Sequence, residues 1–472
     1  MNKAELIFVP APAIGHLVST LEFAKRLIDC DDRLSITILC PKIPFMPFTD
    51  TYPKTVLASQ PRNRIQLIDL REIDPPPLEL SKKSPEKYMC VLIESLIPTV
   101  KAIIQSILSS HSNSNSTRIV GLVLDLCCLS MIDMGNELGI PSYMFQTTNA
   151  GFLGLMLYLS TGHNQTSTVF KESDHALSIP GFVNPFPQSA LPTALFNNDG
   201  GYTAYIKLAK RYRDIKGIIV NSFSELESYA IGSVFNGHVP PVYAVGPVID
   251  IKGPPHPNLD QAQHENIMKW LDDQPSSSVV FLCFGSMGSF GSSQVREIAL
   301  GIQGSGYKFL WAMRMSPITK ENPLNMLPEG FLEWMKDRGM LCEWAPQVEV
   351  LAHKAIGGFV SHCGWNSILE SLWFGVPIVT WPMYAEQPLN AFMMVKELGL
   401  AVELRLDYRM GVDLVMADEI EKAVKHLMDF DCEVRKKVKE MGEMARKAVL
   451  RGGSSFNAIG QFIEDVIGSS SC

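Results

Sequence analysis

Short apolar runs alternate with longer amphipathic segments along this chain of 472 residues, and the pattern starts again after a proline-rich stretch near the middle. Apolar runs separated by helical patterns are typical of parallel strands covered by helices. The runs that predict strands lie at 6–9, 35–39, 65–67, 119–124, 142–145, 217–220, 279–284, 309–313, 339–342, 356–360 and 377–381. Because the chain exceeds what one hydrophobic core normally organises, the pattern predicts two α/β domains.

The restart of the pattern also predicts the domain boundaries. The first series ends near Gly246-Pro247, and a proline-rich stretch continues to about residue 261. We therefore expect an N-terminal domain at 1–246, a linker at 247–261 and a C-terminal domain at 262–453. Residues 454–472 contain a last amphipathic segment, which predicts a helix. One possible arrangement is that this helix packs back onto the first domain. The serine- and asparagine-rich stretch at 109–117 predicts a surface loop.

Composition argues against several classes of function. Acidic residues outnumber basic ones by 49 to 41, which gives a formal net charge of −8, whereas nucleic acids are bound by basic faces. Pro10 interrupts the first apolar run before a signal-peptide core forms, and no segment has the roughly 18 apolar residues of a membrane span. The 10 cysteines follow no metal-ligand spacing. We expect a cytoplasmic monomer with no nucleic-acid partner and no integral membrane span.

Two small turns follow predicted strands in the C-terminal half. The run 357–360 leads into the turn SHCGWNS at 361–367, after which a helical stretch begins. A strand that ends in a small polar turn opening a helix presents free backbone N–H groups and the positive end of the helix dipole, which suit phosphate. The turn FGSMG at 284–288 likewise permits an anion to approach the backbone closely. The turn at 361–367 therefore predicts a diphosphate site, whereas a glycine-rich turn such as 284–288 is weak evidence by itself.

Two further polar residues lie at the carboxyl ends of predicted strands, where ligands collect in open α/β sheets. His16 follows the run 6–9 and opens a helix whose dipole favours the neutral imidazole that a general base requires. Asp125 ends the run 119–124, where a carboxylate can accept a ring N–H of histidine and stabilise the imidazolium. The structural alternatives are a helix N-cap for His16 and a loop contact for Asp125.

The string WAPQVEVLAHKAIGGFVSHCGWNSILESLWFGVPIVTWPMYAEQ, at 344–387, resembles the C-terminal signature of the plant family 1 UDP-glycosyltransferases in length, order and nearly every polar position. The resemblance covers essentially the whole chain and is nearest to the branch that acts on flavonoids, isoflavonoids and triterpenoids. It implies the glycosyltransferase B fold, an α/β fold of two Rossmann-like domains facing a cleft. The contexts PAPAIGH and GLVLD match the catalytic pair of the family, which implies that His16 and Asp125 meet.

The resemblance also implies a site for a UDP-sugar, which would be a substrate, with no metal ion and no separate cofactor. An aromatic face suits the base, short polar donors suit the diphosphate, and carboxylates and amides suit the hydroxyls. Trp344 would stack on uracil, the backbone of Ala345 would pair with its edge, and Gln347 would lie near the ribose. In chain order the implied donor-binding residues are Thr147, Ser286, Trp344, Ala345, Gln347, His362, Trp365, Asn366, Ser367, Glu370, Glu386 and Gln387.

The remaining roles divide between the diphosphate and the two sugars. Glu370 would take the ribose hydroxyls, and Glu386 with Gln387 would take those of the transferred sugar. In this family Gln at the position of Gln387 usually accompanies glucose, whereas His often accompanies galactose, so UDP-glucose is the expected donor. The diphosphate would be held by Ser286, His362, Asn366 and Ser367.

Simpler structural interpretations remain open for several of these residues. The sequence Ser367-Ile-Leu-Glu370 also fits a capping box, in which Glu370 would only reach back to backbone N–H groups. Each tryptophan of the string could be ordinary core, and for Trp373 and Trp381 we prefer that interpretation. Cys363 is expected to be a small buried filler.

The implied reaction is an inverting displacement in which His16 removes the proton of an acceptor hydroxyl while Asp125 supports the charged imidazole. The regions 89–97, 145–155 and 185–198 are rich in Met, Leu and Phe and would bind a small lipophilic acceptor, although the same stripes could also be the cores of helices. A metal-dependent transferase is a rival, because Asp-x-Asp occurs at 29–31 and 429–431. A UDP-sugar-binding sensor without catalysis is another, although both implied catalytic residues are present.

Overall fold

The computed structural model describes residues 3–41, 48–59, 63–114, 117–162, 169–172, 175–234, 239–252, 259–314 and 322–468. The chain divides into two compact units. The first comprises Met1–Pro185, Ala194–Pro254 and Lys447–Cys472, and the second comprises Phe186–Thr193 and Pro255–Arg446. The sequence-based boundaries at 246, 261 and 453 remain a prediction, and part of the predicted linker, 253–258, lies outside the described residues.

Within the described residues, the first unit holds seven parallel strands in the order β3-β2-β1-β4-β5-β6-β7. The strands are β1 (Lys3–Val9), β2 (Leu34–Cys40), β3 (Ile65–Asp69), β4 (Thr117–Asp125), β5 (Ser142–Gln146), β6 (Gly217–Val220) and β7 (Val242–Ala244). The central strands β1 and β4 are buried along nearly their whole length, as parallel strands covered on both faces must be. Six of these strands match predicted runs, whereas the short β7 was not predicted.

The helices of the first unit connect and cover these strands. They are α1 (Ile14–Cys30), α2 (Phe48–Ser59), α3 (Leu78–Lys83), α4 (Pro85–Ser114), α5 (Ile132–Glu137), α6 (Ala150–Gly162), α7 (Gly201–Arg211), α8 (Ser228–Val234) and, from the end of the chain, α17 (Ser454–Gly468). The last of them belongs to the core of this unit, because Ile459, Phe462 and Ile463 are buried against the sheet. Tyr243 on β7 donates a hydrogen bond to Asp465 at 2.6 Å.

Helix α4 corrects one prediction and bears on another. The stretch 109–117 was predicted to be a loop, but the helix continues to Ser114 and β4 begins at Thr117. Propagating an existing helix by one residue is easier than starting one, so polar residues of modest propensity extend it.

Among the described residues, Pro85–His111 is the one helix long and apolar enough to span a membrane, with mean hydropathy 1.6. A single such helix is weak evidence, since core helices share this composition.

The described part of the second unit holds six parallel strands in the order β10-β9-β8-β11-β12-β13. Five strands match predicted runs, whereas β13 was missed. The strands are β8 (Val279–Cys283), β9 (Lys308–Ala312), β10 (Gly339–Cys342), β11 (Ile356–Ser361), β12 (Ile378–Thr380) and β13 (Ala401–Glu403). Its helices are α9 (Gln261–Asp272), α10 (Ser292–Ser305), α11 (Phe331–Trp334), α12 (Gln347–Ala352), α13 (Trp365–Phe374), α14 (Gln387–Phe392), α15 (Ala417–Met428) and α16 (Glu433–Ala448), the last of which ends in the first unit.

The core of the second unit lies between this sheet and its helices. Trp381, fully buried, packs edge-on against Phe284 and Tyr408. The preferred interpretation of this tryptophan as core is therefore confirmed. The two parallel-sheet units confirm the predicted α/β class, with one Rossmann-like unit from each half of the pattern.

Candidate active site

A histidine and a carboxylate meet at the carboxyl end of the first sheet. Strands β1 and β4 are parallel neighbours, with Val9 opposite Leu124, so the residues that follow them emerge at the same edge. The Nδ1 atom of His16 lies 2.7 Å from Oδ2 of Asp125. The prediction that these two residues meet is confirmed.

Asp125 is held rigidly by its surroundings. Its side chain is completely buried, whereas that of His16 is 27% exposed. The second carboxylate oxygen of Asp125 accepts a hydrogen bond from the backbone N–H of Cys127 at 2.9 Å, as the cap of the 3-10 turn Leu126–Met131. His16 itself is not a helix N-cap, because Ala13 holds that position in α1. The carboxylate therefore fixes which ring nitrogen of His16 faces it.

Thr147 lies in the first unit beside this pair. Its hydroxyl oxygen is 3.2 Å from Nδ1 of His16, and the residue is buried after the end of β5. The sequence analysis placed it among the implied donor-binding residues, and the structure places its hydroxyl against the histidine. Within its own unit, Thr147 therefore contributes to holding the imidazole ring.

One group of described residues could offer three ligands to a metal ion, namely His16, Asp125 and Cys127, whose ligand atoms lie within 4.8 Å of one another. Burial raises the pKa of the Cys127 thiol well above its usual value, so the thiol stays protonated at neutral pH. Both oxygens of Asp125 are already engaged by hydrogen bonds. These residues therefore fit a histidine–carboxylate pair better than a metal centre.

The two Asp-x-Asp sequences lie at the C-terminal ends of α1 and α15. Asp31 forms hydrogen bonds with the guanidinium of Arg33, at 2.7 Å for the shortest. Asp429 accepts a hydrogen bond from the backbone of Asp431 at 3.1 Å. These carboxylates take part in local ion pairs and turns, which agrees with the simpler interpretation of both sequences.

In the second unit, His362 follows β11 and is enclosed by two glycines. A Cβ atom on Gly364 would lie 2.5 Å from its Nε2 atom, and one on Gly285 would collide with the same atom. The imidazole is buried, and its Nδ1 atom has no hydrogen-bond partner in the described structure. Burial, with the positive charge of Arg314, lowers the pKa of His362 to about 4. The ring is therefore neutral at pH 7.

Helix α13 begins directly after this histidine. Its N-cap is Gly364, which offers no side-chain cap, so the first backbone N–H groups of the helix are not satisfied by a capping side chain. The capping-box alternative is wrong, because Ser367 lies inside the helix and not at its N-cap. Asn366 is half-buried and Trp365 is buried, so the Trp365 ring packs as core while its backbone forms part of the helix start. The helix start therefore has the backbone arrangement that suits an anion, and the diphosphate site here stays a prediction.

Polar side chains converge beside the same helix. The amide of Gln347 donates hydrogen bonds to the hydroxyl of Ser367 at 2.8 Å and to the carboxylate of Glu370 at 2.7 Å. Ala345 and Trp344 lie on the half-buried segment before α12. The structure thus brings together Gln347 and Glu370, the two residues that the sequence analysis assigned to the ribose.

The end of the signature string lies at the start of α14. The side-chain oxygen of Gln387 accepts hydrogen bonds from the backbone N–H groups of Met383 and Tyr384 at 2.9 and 3.0 Å. Glu386 is the N-cap residue of α14, and Asn390 reaches its carboxylate at 3.4 Å. Because its oxygen is engaged, the amide group of Gln387 has only N–H donors left for a ligand.

Three polar residues of this region were not predicted. Buried Asn390 donates a hydrogen bond to the carbonyl of Cys363 at 2.9 Å, which holds the turn before α13. Tyr384 has its ring centroid 6.3 Å from that of His362. Arg314 places its guanidinium carbon 3.4 Å from the centroid of the Trp344 ring. Arg314 follows β9 by two residues, so the rule that polar residues at strand ends form sites would have indicated it.

Comparison with known proteins agrees with this geometry. A family model described as "UDP-glucoronosyl and UDP-glucosyl transferase" matches residues 235–438. UDP-glycosyltransferase 71K2 of Pyrus communis is 57% identical over 100% of this chain and 99% of its own length. Flavonol 3-O-glucosyltransferase UGT71C4 of Arabidopsis thaliana is 50% identical over the full length of both chains. The crystal structure of Medicago truncatula UGT71G1 complexed with UDP-glucose superposes with a TM-score of 0.91 at 60% identity, covering 98% of each chain.

The two parallel-sheet units and these likenesses define an enzyme of the glycosyltransferase B fold. Within that class, the chain belongs to the plant family 1 UDP-glycosyltransferases.

Proposed function

We propose that this enzyme transfers glucose from UDP-glucose to a hydroxyl of a small lipophilic acceptor, with inversion and without a metal ion. The contact between His16 and Asp125 is the observation that carries the proposal. A buried carboxylate that accepts a hydrogen bond from Nδ1–H leaves the lone pair of the neutral ring on Nε2. Nε2 is then the atom that takes the acceptor proton.

The reaction exchanges one bond for another at the anomeric carbon. The acceptor oxygen loses its proton to His16 and forms a bond to that carbon, while the bond from the carbon to the UDP oxygen breaks. Asp125 stabilises the imidazolium, which later releases the proton to solvent. Because attack and departure occur on opposite faces, an α-linked donor gives a β-O-glucoside.

The second unit supplies groups that suit the leaving diphosphate. Negative charge grows on UDP as its bond to the sugar breaks, and preorganised hydrogen-bond donors stabilise such charge. The backbone at the start of α13, with Asn366 and Ser367, and the turn at Ser286 are the donors we assign to it. His362 would contribute its unpaired ring nitrogen. This set makes metal assistance unnecessary in the proposed reaction.

We propose glucose as the transferred sugar because of the similarity to UGT71G1, which was solved with UDP-glucose. Gln387 supports this choice, since its fixed amide directs N–H donors to a sugar hydroxyl. Trp344 would stack on uracil, Gln347 and Glu370 would bind the ribose, and Glu386 would bind the sugar. A different UDP-sugar is the alternative that the first assay must test.

For the acceptor, we propose a flavonoid, isoflavonoid, other phenolic or triterpenoid. The relative UGT71C4 is a flavonol 3-O-glucosyltransferase. Helix α6 overlaps the candidate region 145–155, and its apolar residues Phe152, Leu153 and Leu155 are buried in the first unit. The regions 89–97 within α4, 145–155 and 185–198 remain our candidates for the acceptor site. Cytoplasmic location and a monomeric state stay predictions.

The proposal is tested by incubating the purified enzyme with UDP-glucose and a panel of flavonoids and triterpenoids in the presence of EDTA. We expect a hexose adduct by mass spectrometry, and an anomeric proton coupling typical of a β-linkage by NMR. UDP-galactose serves as the parallel donor. Binding of UDP-glucose with no transfer to any acceptor would favour the sensor alternative, and activity that EDTA abolishes would contradict the metal-free reaction.

A further inference from the structure

Arg314 covers the aromatic face on which the base of the donor is expected to stack. Its guanidinium carbon lies 3.4 Å from the centroid of the Trp344 ring, which is van der Waals contact. A flat base cannot fit between the two groups at that distance. The same guanidinium donates a hydrogen bond to the backbone carbonyl of Ser286 at 2.6 Å. Arg314 therefore fills the space between the Trp344 ring and the turn after β8.

In the proposed function, a bound UDP molecule would occupy this space. Uracil on Trp344 and a diphosphate at the turn of Ser286 would both contact groups that Arg314 now contacts. For uracil to stack on this face, the guanidinium must leave the ring. An anion bound at the turn of Ser286 is the nearest new partner for the guanidinium, because the guanidinium already donates a hydrogen bond to that turn.

Among the described residues, no close carboxylate balances the charge of Arg314. Its guanidinium forms no ion pair within 4 Å there, and Glu343 is the carboxylate whose charge acts on it from farther away. Burial lowers the pKa of the guanidinium, because a desolvated cation without a partner is costly. A diphosphate would satisfy this cation, since arginine binds phosphate through a planar fork of N–H donors.

We propose that Arg314 is a further donor-binding residue, which covers the base face of Trp344 in the nucleotide-free enzyme and moves onto the diphosphate when uracil stacks. This inference rests on the proposed binding of UDP. It predicts opposite effects of Arg314 on the two parts of the nucleotide. Arg314 competes with the base, so it weakens the binding of uridine, and it neutralises the diphosphate, so it strengthens the binding of UDP.

The test compares uridine and UDP binding to the full-length enzyme by titration calorimetry. In Arg314→Ala, uridine should bind about 2- to 10-fold more tightly, because the cation–π contact no longer competes. UDP should bind about 10-fold more weakly, because a charge-assisted hydrogen bond is lost. In Arg314→Lys, UDP affinity should be largely kept while uridine affinity rises, since lysine keeps the charge without the planar fork.

Arg338 provides a matched control, since its guanidinium lies 5.7 Å from the Trp334 ring in the same unit, and the residue is exposed. Arg338→Ala should change neither affinity, and circular dichroism should show that each variant is folded. If Arg314→Ala binds both uridine and UDP more weakly, Arg314 only holds the Trp344 ring in place, and the inference is wrong. Tighter binding of both, or no change in either, would equally overturn the inference. Failure of the wild type to bind UDP would instead refute the proposed function on which the inference depends.

Discussion

His16 and Asp125 are in contact at 2.7 Å although 109 positions separate them in the chain. The contact follows from topology, because the two residues lie at the carboxyl ends of the adjacent parallel strands β1 and β4. Asp125 is fixed on both oxygens, by His16 and by the backbone of Cys127. The pair therefore has one preferred geometry before any substrate binds.

The first prediction concerns the charge of Asp125. In Asp125→Asn, kcat should fall by about 10²- to 10⁴-fold, because a neutral amide neither stabilises the imidazolium nor fixes the same tautomer of His16. The KM for UDP-glucose should change little. Steady-state kinetics measures both values. Asp133→Asn is the control, because this carboxylate pairs with Arg211 at the surface of the same unit. An Asp125→Asn enzyme with nearly wild-type kcat would show that the pair is structural.

The second prediction concerns the pH dependence of stability at His362. The unfolded chain takes up a proton near pH 6.5, whereas the folded imidazole stays neutral until about pH 4. The free energy of unfolding should therefore fall as the pH drops from 6.5 towards 4, by up to about 3 kcal/mol from this residue. Above pH 7 this loss is absent.

Chemical denaturation of the wild type and of His362→Gln at pH 7 and at pH 5 tests this. The variant lacks the titrating ring, so it should lose less stability than the wild type between the two pH values. Equal losses would show that the folded histidine titrates in its ordinary range.

The third prediction concerns glycine substitutions, and it separates the cost of backbone strain from the cost of a steric collision in the turn at 284–288. Gly285 has φ of +74° and Gly306 has φ of +75°, but only a Cβ on Gly285 would meet His362. Gly306→Ala should cost about 1 kcal/mol of stability from backbone strain alone. Gly285→Ala should cost more and should also weaken UDP binding, because His362 must shift. Denaturation and UDP titration of both variants provide the comparison, and equal effects would contradict it.

The fourth prediction concerns the amide of Gln387. A glutamate at this position can still accept the hydrogen bonds from Met383 and Tyr384, but it has no N–H to donate. In Gln387→Glu, the KM for UDP-glucose should rise about 10-fold with little change in thermal stability. Gln387→Ala should also raise the KM, and it should lower the thermal stability as well, because it leaves the backbone N–H groups of Met383 and Tyr384 unpaired. Unchanged KM in Gln387→Glu would remove this residue from the donor site.

The fold could be predicted from sequence wherever an apolar run was long enough to indicate a strand. The three-residue strands β7 and β13 were missed, because a strand that short has no distinct period of its own. The equally short β12 was predicted because it lies in the longer apolar run 377–381. The end of α4 was missed for a different reason, since its serines and an asparagine resemble a loop locally while the helix before them propagates.

The candidate site was predicted where strand ends coincide with sequences that resemble the family, as at His16, Asp125 and His362. Contacts that depend on side-chain packing were not predictable. Arg314 has no motif of its own, and only the structure places it on Trp344. The capping-box interpretation of Ser367 failed because the helix begins at Trp365, two residues before it.

The central claim is that His16 is the base of a glucosyl transfer. Its most direct test is the rate of glucoside formation from UDP-glucose, with EDTA present, by the wild type, His16→Ala and His111→Ala. His111 is the matched control, because it pairs with Glu5 at 3.2 Å near the start of β1, at the other end of that strand. We predict that His16→Ala loses transfer by about 10²-fold or more while still binding UDP, and that His111→Ala remains active. A folded His16→Ala enzyme that transfers glucose at the wild-type rate would contradict the account.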